Sequence, residues 1–305
     1  MKTCAIVVTF NRKNLLKQQM DEIAKQKFRI DDYYIVDNNS GDGTDLMIQE
    51  LKKNFPIRLH YLRLTNNVGG AGGFCEGLIK AYEDSYDWFI LMDDDGRPFD
   101  EKCFSEVFDF VEQKKLSSSD LYLLNSLVTH DNVGLSFGLG HIETIEDCEK
   151  HASDGLFIGT VNPFNGTVLS NGLVKKIGFP NGEFFIKGDE VDYLRRAKKN
   201  EAFVATITSS RYMHPKPQGM TQKRVFGKKY YMYIEAPWKE YYNVRNQAYS
   251  LIASNEKSKA RIFAFNRILC CLFCKCEKLH TLKMIFRGYS DAKKGRLGAI
   301  VKPGE

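Results

Sequence analysis

Three adjacent carboxylates, Asp93, Asp94 and Asp95, close the apolar run Phe89–Met92. Three such groups cannot share a dry interior, because each would lose its hydration with nothing to offset the cost. They must meet water, cations or a ligand where the run ends. In an open parallel α/β sheet that carboxyl edge is where ligands bind. The alternating pair Asp93 and Asp95 suits a hard, oxygen-loving divalent cation, Mg2+ or Mn2+, which also holds substrate phosphates. The plainer alternative is an acidic turn, with Gly96 and Pro98 ending the strand.

Other apolar runs end in polar residues too: Thr9, Phe10 and Arg12; Asp37 to Asn39; Asn66 and Asn67; Asp189 and Glu190. In a parallel sheet such ends share one edge, so side chains distant in sequence converge there. The cluster Gly69, Gly70, Gly72 and Gly73 lets backbone approach a ligand ahead of a helix whose first amides favour phosphate. It departs from GxGxxG and follows the third strand, which disfavours a dinucleotide; an empty flexible turn is the alternative. His214, beside Pro215, reads as a metal ligand or as a satisfied surface histidine. The stretch Trp238–Asn246 reads either as rings lining a carbohydrate or as helix core, because Trp238, Tyr241, Tyr242 and Arg245 fall at helical spacing.

The elements that must position these groups alternate. Strands are expected at residues 5–10, 33–37, 57–64 and 89–92, with helices at 15–26, 44–54 and 74–82 between them. That order predicts an α/β fold, a mostly parallel sheet flanked by helices. After residue 100 the pattern loosens: a helix at 104–115, a strand at 121–124, weakly patterned short strands and loops at 125–165, a helix at 189–200 and a strand at 203–207.

Length and charge narrow the class. A chain of 305 residues, 43% hydrophobic and 27% charged, reads as a soluble globular protein with one large domain and an appendage. The opening run reads as a first strand and not a signal peptide, and no apolar stretch reaches the roughly 20 residues that span a bilayer. The eight cysteines read as free thiols, with zinc disfavoured at Cys271 and Cys274 for want of a second ligand pair. Residues 257–302 carry 12 Lys or Arg against Glu277 and Asp291, while the whole chain is +6. A basic tail on an acidic body suggests a surface-binding appendage and no nucleic acid. Within the tail, Ile262, Phe265, Leu269, Leu272 and Phe273 form an apolar stripe, either for an anionic membrane surface or for packing on the rest of the chain.

The motifs AIVVTFNR (5–12), VDNNSGDGT (36–44), NNVGGAGGF (66–74) and LMDDDG (91–96) resemble those of inverting family 2 glycosyltransferases of GT-A fold. The glycine run, the three Asp, EFFIKGDEVDY (183–193) and the later His-Pro are similar to the galactofuranosyltransferase branch, with rhamnosyltransferases as near relatives. The resemblance covers about residues 3–250. It implies that Thr9, Phe10, Arg12, Asp37, Asn67, Gly70, Asp93 and Asp94 hold a nucleotide sugar, and that Asp93, Asp95 and His214 hold Mn2+ or Mg2+. It also implies a general base at Asp189–Glu190, where the family more often has Asp-Asp or Glu-Asp. Trp238, Tyr242 and Arg245 match a W..YY..RN pattern and would meet the acceptor. The donor so implied is UDP-galactofuranose, with dTDP-rhamnose as the alternative, and the acceptor a glycan or lipid-linked saccharide of bacterial surface polysaccharide synthesis. A nucleotidyltransferase and a non-catalytic nucleotide binder are the rival classes. The expected organisation is a catalytic domain at 1–225 and a basic helical region at 226–305, cytoplasmic and peripheral on the inner membrane face.

Overall fold

The computed structural model describes all residues except 141, 217–220, 226, 227, 303 and 305, and the backbone alone at 221–225 and 228–231. Two compact units make up the chain: residues 1–67, 73–180 and 193–216 form the first, and 68–72, 181–192 and 217–305 the second. The division is discontinuous because residues 68–72 and 181–192 pack with the C-terminal helices.

The chain opens with β1 (Thr3–Thr9), α1 (Lys13–Ala24), β2 (Asp32–Asp37), α2 (Thr44–Leu51), β3 (Arg58–Arg63), α3 (Gly69–Glu83) and β4 (Trp88–Asp93). These four strands lie in the order β3-β2-β1-β4 and are parallel throughout. There follow β5 (Arg97–Pro98), α4 (Cys103–Gln113), β6 (Tyr122–Thr129), β7 (Gly134–Leu139), β8 (Ile142–Thr144), α5 (Ile145–His151), β9 (Leu156–Ile158), β10 (Asn165–Ser170), α6 (Asn171–Ile177), α7 (Asp189–Lys199) and β11 (Phe203–Met213). The sheet continues β4-β10-β6-β11-β5, with β10 antiparallel to both neighbours and β11 parallel to β6. The weakly patterned region 125–165 therefore supplies real strands, which are buried on both faces (β6, β10) or only three residues long (β8, β9) and so show no clear alternation.

Successive strand residues point to opposite faces, so each central strand feeds two cores. Ala5, Val7, Tyr33, Ile35, Ile90 and Met92 pack on one face with Leu16, Met20 and Ile23 of α1 and Phe104, Val107 and Phe108 of α4. Cys4, Ile6, Val8, Tyr34, Val36, Phe89 and Leu91 pack on the other with Phe74 and Leu78 of α3 and Tyr193 and Ala197 of α7. Strands buried on both faces read as continuous apolar runs, which is why β1, β2 and β4 stand out in the sequence.

The glycine cluster differs from expectation. It is the first turn of α3, not a loop, and only Gly69 has positive φ. A Cβ on Gly73 would lie 2.4 Å from Val8 Cγ1, and one on Gly77 would lie 2.7 Å from Val36 Cγ2 and 2.8 Å from Ile6 Cγ2. Glycine here lets α3 approach the sheet closely. A Cβ on Gly70 would meet nothing within 4 Å.

The second unit contains the hairpin β12 (Thr221–Val225) and β13 (Lys228–Met232) and three helices, α8 (Pro237–Ala253), α9 (Lys257–Phe273) and α10 (Lys278–Lys294). α8 is sandwiched: Val244 meets Ala264 and Ile285, and Ala248 meets Ala260 and Ala292. α9 turns Ala260, Ala264 and Cys271 inward, so the stripe of Ile262, Phe265, Leu272 and Phe273 is 47–59% exposed, with Leu269 half-buried. Phe286 of α10 is also exposed. Among the described residues no helix is long and apolar enough to cross a membrane. All eight cysteines are thiols outside any disulfide, and Cys271 and Cys274 form no metal cluster among the described residues.

Candidate active site

Asp93 ends β4, and the following turn returns the chain through Gly96 into β5. There Arg97 and Pro98 pair antiparallel with Met213 and Tyr212. The ladder carries the next residue, His214, back beside Asp95. A register shift between Ile207 and Arg211 of β11 sets that phase, as β-bulges near active sites commonly do by re-aiming a side chain. One ligand atom each from Asp93, Asp95 and His214 lies within 4.8 Å of the others. His214 Nε2 is 3.2 Å from Asp95 Oδ1, and its Nδ1 is 2.7 Å from the Pro215 carbonyl. A carbonyl can only accept, so Nδ1 carries the proton and Nε2 faces the carboxylates. Two carboxylates and an imidazole nitrogen that converge this closely can hold a divalent cation.

Asp94 points elsewhere. It is 4% exposed, accepting from the Thr9 hydroxyl at 2.8 Å and from Arg12 Nη1 at 2.9 Å. The same Arg12 nitrogen reaches Asp95 at 3.0 Å. Burial raises the Asp94 pKa, and the Arg12 charge and the Thr9 bond only partly oppose it. Burial acts the same way on Asp95, but the hydrogen bond and charge of His214, and the charge of Arg12, win and hold it below the ordinary carboxylate value. Burial disfavours the imidazolium of His214, yet Asp95 outweighs it and the pKa rises. Three acids thus coexist because one is tied to Thr9 and Arg12 and two face a common centre.

The remaining expected donor-binding residues lie in the same unit, Gly70 excepted. Thr9 and Asp37 stand side by side in the β1–β2 register. Asp37 is fully buried, accepting from the Ser40 amide and the Tyr61 hydroxyl. Phe10 is 41% exposed just past β1, and Asn67 is half-buried. Asp189 and Glu190 belong to the second unit and open α7, where acids suit the helix dipole; Asp189 is buried and Glu190 half-buried.

Two of the expected acceptor residues lie in the interior of the second unit. Tyr242 and Arg245 are fully buried: the Tyr242 hydroxyl donates to the Val301 carbonyl at 2.8 Å, and Arg245 bonds backbone carbonyls. Helical spacing had allowed either reading, and α8 turns this face into its core. Trp238 is half-buried and keeps exposed surface.

Gln19 was missed. It is buried on α1, and its Nε2 donates to the carbonyls of Asp93 and Gly96, bracketing the acidic turn, while its Oε1 accepts from the Tyr33 hydroxyl at 2.6 Å. A polar residue on the Leu16–Met20–Ile23 face was the available signal.

Comparison with known proteins bears on the family and the fold. The family described as Glycosyl transferase family 2 matches residues 4–122. Galactofuranosyltransferase GlfT1 of Mycobacterium tuberculosis is 30% identical over 251 residues, 81% of each chain. GlfT1 of Mycolicibacterium smegmatis is 29% identical over 255 residues, 81% of this chain and 82% of its own. Among solved structures, S. aureus TarS 1-349 in complex with UDP-GlcNAc aligns with a TM-score of 0.54 at 16% identity, covering 97% of this chain and 73% of that one. Shared sequence across four fifths of the chain, and the common architecture, lead to one conclusion: this chain belongs to glycosyltransferase family 2 and is a glycosyltransferase of GT-A fold.

Proposed function

We propose that this glycosyltransferase moves galactofuranose from UDP-galactofuranose onto a glycan or lipid-linked saccharide, with inversion at the anomeric carbon and with Mn2+ or Mg2+ at Asp93, Asp95 and His214. The three-donor cluster at the carboxyl edge of β4 carries this reading, and the named activity of the GlfT1 relatives supports the choice of sugar. A bound divalent cation supplies Lewis-acid stabilisation of the departing diphosphate. Asp94 holds Thr9 and Arg12 in place, and these, with Phe10, Asp37, Asn67 and Gly70, make the donor side. Glu190, supported by Asp189, takes the proton of the acceptor hydroxyl as it attacks the anomeric carbon from the face opposite the leaving group. Trp238 offers a ring to the acceptor. Catalytic groups thus come from residues 1–225. In 226–305, the exposed stripe on α9, among Lys257, Lys259, Arg261 and Lys275, faces an anionic membrane surface at the cytoplasmic side.

A donor screen tests the reading: purified chain, Mn2+ and a lipid-linked acceptor, scored by nucleoside diphosphate release. UDP from UDP-galactofuranose is expected. Preferential turnover of dTDP-rhamnose replaces the donor, and pyrophosphate from a nucleoside triphosphate replaces the reaction class. Glu190→Gln should keep donor affinity and lose turnover by roughly a hundredfold, the usual scale for a general base. Normal turnover there with loss in Asp189→Asn moves the base to Asp189; normal turnover in both ends the assignment.

A further inference from the structure

The segment leading into Asp189 and Glu190 is held in a backbone conformation its residues resist. After the turn Gly182–Phe184, Phe185 takes φ 66° and ψ −72°, and the Ile186 amide donates to the Phe184 carbonyl at 2.8 Å. That is the rare, strained form of γ-turn. Lys187 follows at φ 66° and Gly188 at φ 84°. Of these only glycine occupies such a region without penalty, and strain of this kind persists only where the surroundings impose it.

Two neighbouring side chains of α8 impose it. Arg245 donates to the carbonyls of Glu183 at 3.2 Å, Phe184 at 3.0 Å and Gly298 at 2.6 Å, and its Nε reaches Asn246 Oδ1 at 2.8 Å. Asn246 Nδ2 contacts the carbonyls of Phe184 at 2.9 Å, Ile186 at 2.9 Å and Lys187 at 2.7 Å. The Phe185 carbonyl accepts from the Ala71 amide at 3.0 Å. Every carbonyl from Glu183 to Lys187 is thereby engaged. Both clamping residues are fully buried. Burying a guanidinium whose hydrogen bonds go to neutral carbonyls is expensive, and an apolar side chain would pack α8 at lower cost. Burial accordingly lowers the Arg245 pKa, despite the opposing influence of Tyr241, Tyr242 and Asp291.

We propose that Arg245 and Asn246 are positioning residues that hold residues 183–188 and so fix the orientation of the Asp189–Glu190 carboxylates. This rests on the reading of that pair as the base. Asn246→Ala removes three carbonyl contacts and leaves the helix intact. Its expected effect is a loss of about a hundredfold in kcat, the scale of misaligning a reacting group by about 1 Å. Donor KM and UDP affinity should stay near wild type, and backbone amide exchange at Ala71 and Ile186 should accelerate. A merely structural role would lower Tm and leave kcat unchanged well below the transition. Arg245→Lys keeps the cation but not the planar fork, and serves if the alanine variant does not fold. In wild-type enzyme, fast exchange at those two amides overturns the proposal without any variant. Normal kcat in folded Asn246→Ala, with Glu190→Gln inactive, overturns the clamp and leaves the base standing. Normal turnover in both Asp189→Asn and Glu190→Gln removes the base, and unchanged exchange in Asn246→Ala then removes the clamp as well.

Discussion

Replacing Gln19 with methionine tests how the acidic turn is held. The side chain is 1% exposed, and methionine matches its length and flexibility, so the cavity contribution is small. The change removes the donor to the Gly96 carbonyl at 2.7 Å and the acceptor for the Tyr33 hydroxyl at 2.6 Å. It also removes the bond to the Asp93 carbonyl, which keeps a 3.3 Å contact from the Gly96 amide. Two buried groups are left stranded at about 1–3 kcal/mol each. The Tyr212 hydroxyl, 3.2 Å from Gln19 Nε2, is close enough to recover part of that loss. A fall in unfolding free energy of about 2–4 kcal/mol is expected from these group costs. Because the same bonds bracket Asp93 and Asp95, Mn2+ affinity should drop by about 10–100-fold, the scale of outer-shell substitutions. Urea unfolding gives the first quantity and isothermal titration with Mn2+ the second. A stability change under about 0.5 kcal/mol, small on the scale of surface substitutions, would refute the energetic argument. Unchanged Mn2+ affinity would refute the link to the site.

Turnover should vanish in EDTA and in Asp93→Asn or Asp95→Asn; the second variant should also lose thermal stability, since it gives up the interactions with Arg12 and His214. Full turnover in any of the three would sink the metal assignment. Gly73→Ala, whose Cβ would lie 2.4 Å from Val8 Cγ1, should destabilise by about 1–3 kcal/mol through overpacking. Gly70→Ala, with open space around it, should stabilise by about 0.5–1 kcal/mol, and unfolding curves of both check the contrast. Flotation with anionic vesicles should carry the chain upward, and Ile262→Ser with Phe265→Ser should abolish it; no flotation in wild type at low salt removes the membrane face.

Local pattern sufficed for much of this molecule. Ile6, Val8, Tyr34, Val36, Ile90 and Leu91 lie in unbroken apolar runs because their strands are buried on both faces, and a run that stops at Asp37 or Asp93 marks the edge where polar groups collect. The glycine turn was legible as glycine but not as helix. The reason Gly73 and Gly77 are small lies on β1 and β2, in Val8, Ile6 and Val36. His214 was recognisable as a candidate ligand through its resemblance to known motifs; its approach to Asp95 depends on the β11–β5 register and the shift between Ile207 and Arg211.

By itself, then, the sequence determined the strand–helix alternation, the acidic strand end, the family motifs and the basic, apolar-striped tail, since each is written in residues close together along the chain. Only tertiary structure decided that Asp94 turns to Thr9 and Arg12 while Asp93 and Asp95 face His214. It likewise decided that Gln19 braces the acidic turn, and that Tyr242 and Arg245 are buried and not free to meet an acceptor. Periodicity reports which side chains share a face. Which groups that face meets depends on register and packing between segments far apart in the chain, and those exist only once the chain has folded.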